Sequence, residues 1–329
     1  MAGHRATLVC TAPTAELINR DGTVVRFPIQ GCDALLDIPS KGLPGTLSAA
    51  TPGAAQPAPF DLVVLAMQEA QYGAPGVREL MERIARAGRP CLAIMNMPPL
   101  PYLRRIAGLD VPALEPCYVD PRVWDEFDPA LVTLASPDPQ AFRPPDQPRN
   151  VLQVGLPTNF KAARFGAEEP TMLLRRLAAD VEAARFGGLE IPVKLKVYDS
   201  PFVPLAKWPM LIAGNYRSIQ PGGAISIREA VHANIAEARA IYDWVCDLCI
   251  RLGADAADLV PFEKYARAAE GLAKPSSAAR ALFGGAEHVE RVDCLIQRIG
   301  RQKGMQSAAL DEIVALVDER LAQNRRARA

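Results

Sequence analysis

The chain has 329 residues, 49% of them hydrophobic and 22% charged, with 37 Lys+Arg against 37 Asp+Glu. That balance leaves no global field for nucleic acid or an anionic membrane surface, and the composition is that of a folded rather than a disordered protein. The length suffices for two domains, each with its own core. No apolar run reaches the roughly 18 residues of a membrane span. Met1 to Arg5 is not followed by a long apolar segment, and the seven cysteines are scattered, so a cytoplasmic protein with reduced thiols is expected.

Ala6–Cys10 reads as a short buried strand, Asn19–Gly22 as a turn, and Thr23–Phe27 as an alternating strand. Residues 39–59, rich in Pro, Gly and Ala, read as loop. Phe60–Met67 is a continuous apolar run, as expected of a strand covered on both faces. Val77–Ala87 has helical periodicity with Val77, Leu80, Met81 and Ile84 on one face. Pro90–Asn96 is another buried strand, and Asn96 stands at the carboxyl end, where open parallel sheets bind ligands. Residues 109–148 read as loop, with a helix-like patch at 121–127. Val151–Gly155 restarts the strand pattern, Thr171–Ala184 is an amphipathic helix, and Ile191–Tyr198 alternates as a strand. Strand, helix, strand order argues for a parallel sheet with packed helices.

From Lys207 onward nearly everything reads as helix. The stretch Lys207-Trp208-Pro209-Met210-Leu211-Ile212-Ala213-Gly214-Asn215-Tyr216-Arg217 joins the two halves. Pro209 suits the first turn of a helix, and Met210 reads as core. Ser226 with Glu229 forms a capping box for a helix expected to run to Leu252 and stop at Gly253. Ser276 or Ser277 opens the next helix, and 286–300 and 307–325 follow. Cys246-x-x-Cys249 lies inside the helical pattern with no second pair, so no metal site is expected there.

Residues 207–217, Pro275-Ser276-Ser277-Ala278-Ala279 and Glu290-Arg291-Val292-Asp293 resemble the ketopantoate reductase family. So do Gly3–Val9, Asp61–Met67 and Asn96 in the first half. The resemblance implies an α/β protein with an N-terminal Rossmann-like parallel sheet over residues 1–203 and an all-helical C-terminal domain over 204–329. It also implies hydride transfer from NADP, or NAD, to a small-molecule 2-keto acid. A homodimer is the expected assembly, with neither nucleic acid nor membrane as partner.

The chemistry states which side chains to seek. Hydride attack places negative charge on a ketone oxygen, which a lysine can protonate and a carboxylate-held network can orient. The resemblance assigns catalysis to Lys207 and Glu290, the latter across a one-residue insertion at Gly284-Gly285. It assigns substrate binding to Asn215 and Ser277, and cofactor binding to Asn96, Gln68 and Thr11. Bland alternatives stand beside these: a helix cap for Ser277, a helix-dipole carboxylate for Glu290, helix packing for Asn215. The family's lysine position is Met210 here, and Lys207 lies three residues earlier, on nearly the same face if the helix extends back. The family's asparagine position is Gly214. One residue turns a helical side chain by about 100°, so Asn215 substitutes only if the helix is distorted. The lysine near the third strand and the arginine facing a 2′-phosphate are Gln68 and Thr11. The resemblance also places a strand and a G-x-G-x-x-G turn ahead of Gly3, on the order of 20–25 residues. A sheet lacking that central strand is expected to expose apolar edges. A non-catalytic relative that binds a metabolite or a protein partner is the alternative reading.

Overall fold

The computed structural model describes residues 1–28, 34–137, 141–155 and 158–328. They form two compact units, each drawn from three segments. The first holds Met1–Val64, Ala74–Leu92 and Glu126–Tyr198; the second holds Leu65–Gly73, Ala93–Asp125 and Asp199–Ala329. Segments 65–73 and 93–125 thus group with the C-terminal stretch rather than with the strands that precede them.

The first unit begins with β1 (Arg5–Val9) and α1 (Ala12–Asp21), the helix opened by Pro13 and closed by Gly22. Gly22 has φ 76°, and its N–H donates to the Ile18 carbonyl at 2.7 Å, a left-side backbone that favours glycine. β2 (Val24–Pro28), β3 (Leu35–Pro39) and β4 (Thr46–Ala50) follow, then β5 (Val63–Leu65), α2 (Val77–Arg86) and β6 (Cys91–Ile94). α2 buries Leu80, Met81 and Ile84, the face its periodicity predicts. After β6 comes the one-turn helix α3 (Leu100–Leu103). Then come β7 (Val132–Pro137), β8 (Ala141–Phe142), β9 (Val151–Val154), β10 (Thr158–Ala163) and α4 (Glu168–Ala183). A small hairpin of β11 (Arg185–Phe186) and β12 (Leu189–Glu190) precedes β13 (Val193–Tyr198).

The sheets are mixed. A five-stranded sheet runs β13-β10-β7-β6-β5, with β10 parallel to β13 and antiparallel to β7. A second runs β3-β2-β9-β8, and among the described residues β1 and β4 form a parallel two-stranded sheet. β1 and β5 are therefore margins, and Leu8, Val9 and Val64 are exposed on them.

Two stretches expected as loop carry strands. Residues 39–59 contain β4, a short Thr-Leu-Ser-Ala-Ala run set among Pro, Gly and Ala; its pairing with β1 decides its state. Residues 109–148 contain β7, buried from Val132 to Ser136, with the Thr133 hydroxyl donating to the Ala163 carbonyl at 2.7 Å. Flanking prolines hide this buried strand from pattern reading.

In the second unit, helical backbone is continuous from a 3-10 turn (Val203–Lys207) through α5 (Trp208–Met210) into a π-helical turn (Leu211–Tyr216). A two-residue hairpin, β14 (Ile219–Gln220) and β15 (Gly223–Ala224), interrupts the helices. The helix expected over 226–252 is two: α6 (Ile227–His232) and α7 (Ile235–Leu252). Asn234 breaks it, because its side chain accepts from the Glu237 N–H at 3.2 Å and caps a new start. The Ser226–Glu229 capping box and the left-handed Gly253 stop are as expected. α8 (Phe262–Ala269), α9 (Ser277–Phe283), α10 (Val292–Gln302) and α11 (Ala308–Arg328) complete the unit. No described helix is long and apolar enough to cross a membrane.

Candidate active site

A small cavity of about 30 Å³ lies within the second unit, lined by Gln68, Asn96, Leu211, Asn215, Ser277 and Glu290 among others. That is room for about one or two waters. Five of the seven residues named from sequence line it.

Glu290 is its centre. The carboxylate is buried; its Oε2 accepts from Asn96 Nδ2 at 3.2 Å and its Oε1 from the Glu69 N–H at 3.4 Å. Burial pushes its carboxyl up; those bonds, one from the Met97 N–H and the charge of Lys207 pull it back. The backbone is fixed as well. The Tyr216 hydroxyl donates to the Glu290 carbonyl and accepts from the Val292 N–H at 3.1 Å. Arg291 grips the fully buried Asp293 through two 3.0 Å bonds. A geometry so determined exceeds what a first-turn carboxylate needs.

Asn96 follows β6 at the predicted end. Its Oδ1 is buried and has no partner, and a buried acceptor left bare costs about 1–3 kcal/mol. An orphan of this kind marks a place for a ligand donor.

Lys207 ends the 3-10 turn in helical backbone, half-buried. The helix does extend back to it, and its ammonium acts electrostatically on Glu290. Met210 is half-buried rather than core.

The π-turn resolves the register of Asn215. A wide turn carries one extra residue, which rotates later side chains relative to an α-helix. Asn215 consequently lines the cavity although it stands one position late. Gly214 makes the turn possible: a Cβ there would lie 2.0 Å from the Tyr265 hydroxyl. That hydroxyl donates to the Met210 carbonyl at 3.0 Å, where the helix changes pitch.

Ser276, not Ser277, caps α9: its hydroxyl accepts from the Ala279 N–H at 3.0 Å. Ser277 is left to face the cavity. Thr11 belongs to the first unit, at the start of α1, where its hydroxyl pairs with that of Thr14 at 3.1 Å.

Sequence reasoning missed Glu69. It is 2% exposed, and its Oε1 accepts from the Val119 N–H at 3.0 Å while Oε2 has no partner. Burial and the neighbouring Glu290 charge push its carboxyl up to about 7. The available signal was an acidic residue two positions after an apolar strand run.

No family model and no curated protein sequence matches the chain. Solved structures do. A PanE/ApbA family ketopantoate reductase from Ralstonia eutropha JMP134 superposes with a TM-score of 0.63 at 17% identity, covering 98% of this chain and 93% of that one. The chain has the ketopantoate reductase fold. A D-mandelate dehydrogenase with NADH and anilino(oxo)acetate gives a TM-score of 0.65 at 11% identity, over 98% and 93%. A dimeric ketopantoate reductase from Staphylococcus aureus gives 0.60 at 10%, over 98% and 99%. The ketopantoate reductase fold expected from an ordered set of weak motifs is borne out.

Proposed function

We propose that this chain is a nicotinamide-dependent reductase of a 2-keto acid. The observation that carries the reading is the convergence of Glu290, Asn96, Asn215 and Ser277 on one cavity, with the Lys207 charge acting on Glu290. The solved relatives include a dehydrogenase with NADH and an oxoacetate.

The polar groups of the lining suit the amide of a nicotinamide, and the cavity, with room now for only about one or two waters, has to widen to admit the ring. The unpartnered Asn96 Oδ1 would accept from its amide, with Gln68 beside it. When bound, the cofactor supplies hydride. Lys207 holds positive charge for the ketone oxygen and gives it a proton. Glu290 keeps that ammonium oriented and is itself held by Asn96. Asn215 and Ser277 offer an amide and a hydroxyl to the substrate's carboxylate and carbonyl groups.

The test is oxidation of NADPH and of NADH with a panel of 2-keto acids, ketopantoate included. Lys207→Ala is expected to lower kcat/KM by about 10²–10⁴. A chain that oxidises neither cofactor with any 2-keto acid sinks the proposal. A second reading, a non-catalytic relative that binds a metabolite or protein, is favoured by the thioether of Met210 at the family's lysine position. Turnover lost on Lys207→Ala excludes it. The dimeric state of the Staphylococcus aureus enzyme supports a homodimer here, which light scattering measures.

A further inference from the structure

We propose that Cys117 and Cys294 are a peroxide-responsive thiol pair that closes to a disulfide. The two residues are 177 apart in sequence, yet the Cys117 thiol donates to the Cys294 sulfur at 3.5 Å within the second unit. Cys117 ends the 3-10 turn Pro112–Cys117, and Cys294 lies in the first turn of α10. Their meeting is fixed by bonds on either side. Gln302 exchanges two bonds with the Asp110 backbone at 2.9 and 3.0 Å. Lys303 donates to the Gly108 carbonyl at 2.7 Å, and Arg298 to the Ala113 carbonyl at 3.3 Å. A segment bolted to the helix at three points holds its sulfur in place.

The two thiols are unequal, as an attacking and a resolving cysteine should be. Cys294 is partly exposed, whereas Cys117 is 3% exposed. The hydrogen bond from Cys117, then Arg291 and Arg298, pull the Cys294 thiol down, against burial and Asp293. Its position in the first turn of an eleven-residue helix acts the same way. Bonding to that sulfur and burial raise Cys117. Elsewhere burial pushes Cys91 up to about 12, and burial with the Asp243 and Asp247 charges does the same to Cys246. Among the described cysteines Cys294 is thus the one whose thiol is shifted down, and the one suited to attack.

The chemistry balances with one hydroperoxide. The Cys294 thiolate attacks a peroxide oxygen; the O–O bond breaks, and the leaving alkoxide takes a proton to become an alcohol, or water from hydrogen peroxide. The sulfur, oxidised by two electrons, is now a sulfenic acid. Cys117 loses its proton and attacks that sulfur; the S–S bond forms, the S–O bond breaks, and hydroxide leaves with the proton as water. The sulfurs must approach from 3.5 Å to about 2.05 Å for the bond to form.

The test begins with reduced wild-type protein, hydrogen peroxide, iodoacetamide quenching and non-reducing peptide mapping. The expected product has lost about 2 Da without gaining oxygen. Its one new link joins the Cys117 and Cys294 peptides and is reversed by dithiothreitol. Before oxidation, Cys294 is expected to alkylate at least tenfold faster than Cys246 at neutral pH. Cys117→Ala should stop at a Cys294 sulfenic acid that dimedone traps. Alkylation of both residues after peroxide, or a link between other cysteines, overturns the proposal, and neither readout needs a variant.

Discussion

Glu69 shows what burial does to a single carboxyl. Its pKa stands at about 7 in the fold against an ordinary 4.5, so the folded state holds a proton that the unfolded chain has released between those values. Its contribution to stability is complete below about 4.5 and is lost as pH rises through about 7. The loss amounts to roughly 2–3 kcal/mol. Urea unfolding at about pH 5 and pH 8 should show it, and Glu69→Gln should flatten the difference. A steeper dependence in the variant would contradict the assignment. Asn96→Ala is expected to raise the cofactor KM by roughly tenfold and to lower kcat as well, because it removes both an acceptor used in binding and the amide that holds Glu290. Asn96 was legible in the sequence because it ends a buried strand, whereas Ser277 and Glu290 were reached only through the family resemblance. Glu69 was not legible, because its partners, Val119 and Glu290, lie far along the chain.

The element that matters most is the π-turn at 211–216. Its stability depends on a contact that any side chain at 214 would fill. Gly214→Ala should destabilise the protein by roughly 1–3 kcal/mol through overpacking against Tyr265. Tyr265→Phe should cost about 1–3 kcal/mol by leaving the Met210 carbonyl without its hydroxyl donor. Combined, the two should cost less than their sum, since phenylalanine removes the atom that the new methyl strikes. Thermal melts of the three variants measure this, and strict additivity would exclude the contact. Sequence alone showed that a distortion was needed to bring Asn215 round, but not that a pitch change provides it. The break at Asn234 was hidden for a related reason: apolar periodicity runs on across it, and only the cap hydrogen bond to Glu237 ends one helix and starts another. β4 and β7 escaped notice because a partner strand, not their own pattern, makes them strands.

At the scale of the molecule, the second unit is assembled from three separate segments. A fragment of residues 204–329 lacks the two earlier segments that complete its core, including Trp124, Tyr102 and Leu114 at 0% exposure. It should therefore melt without a cooperative transition, as circular dichroism with heating would show; a sharp transition would mean the C-terminal stretch folds alone. The shift from strand-and-helix to helix near residue 200 suggested a division there. The stitching of the two units was not readable, because nothing local in 65–73 or 93–125 announces where those residues will pack. On the ribosome, Tyr102 and Trp124 emerge well before the Pro201 carbonyl and the helices that enclose them. The nascent polypeptide must shelter two large aromatic rings through that interval. Long-range closure of this kind slows folding, so recovery from denaturant should be slow and improved by chaperones that shield apolar surface.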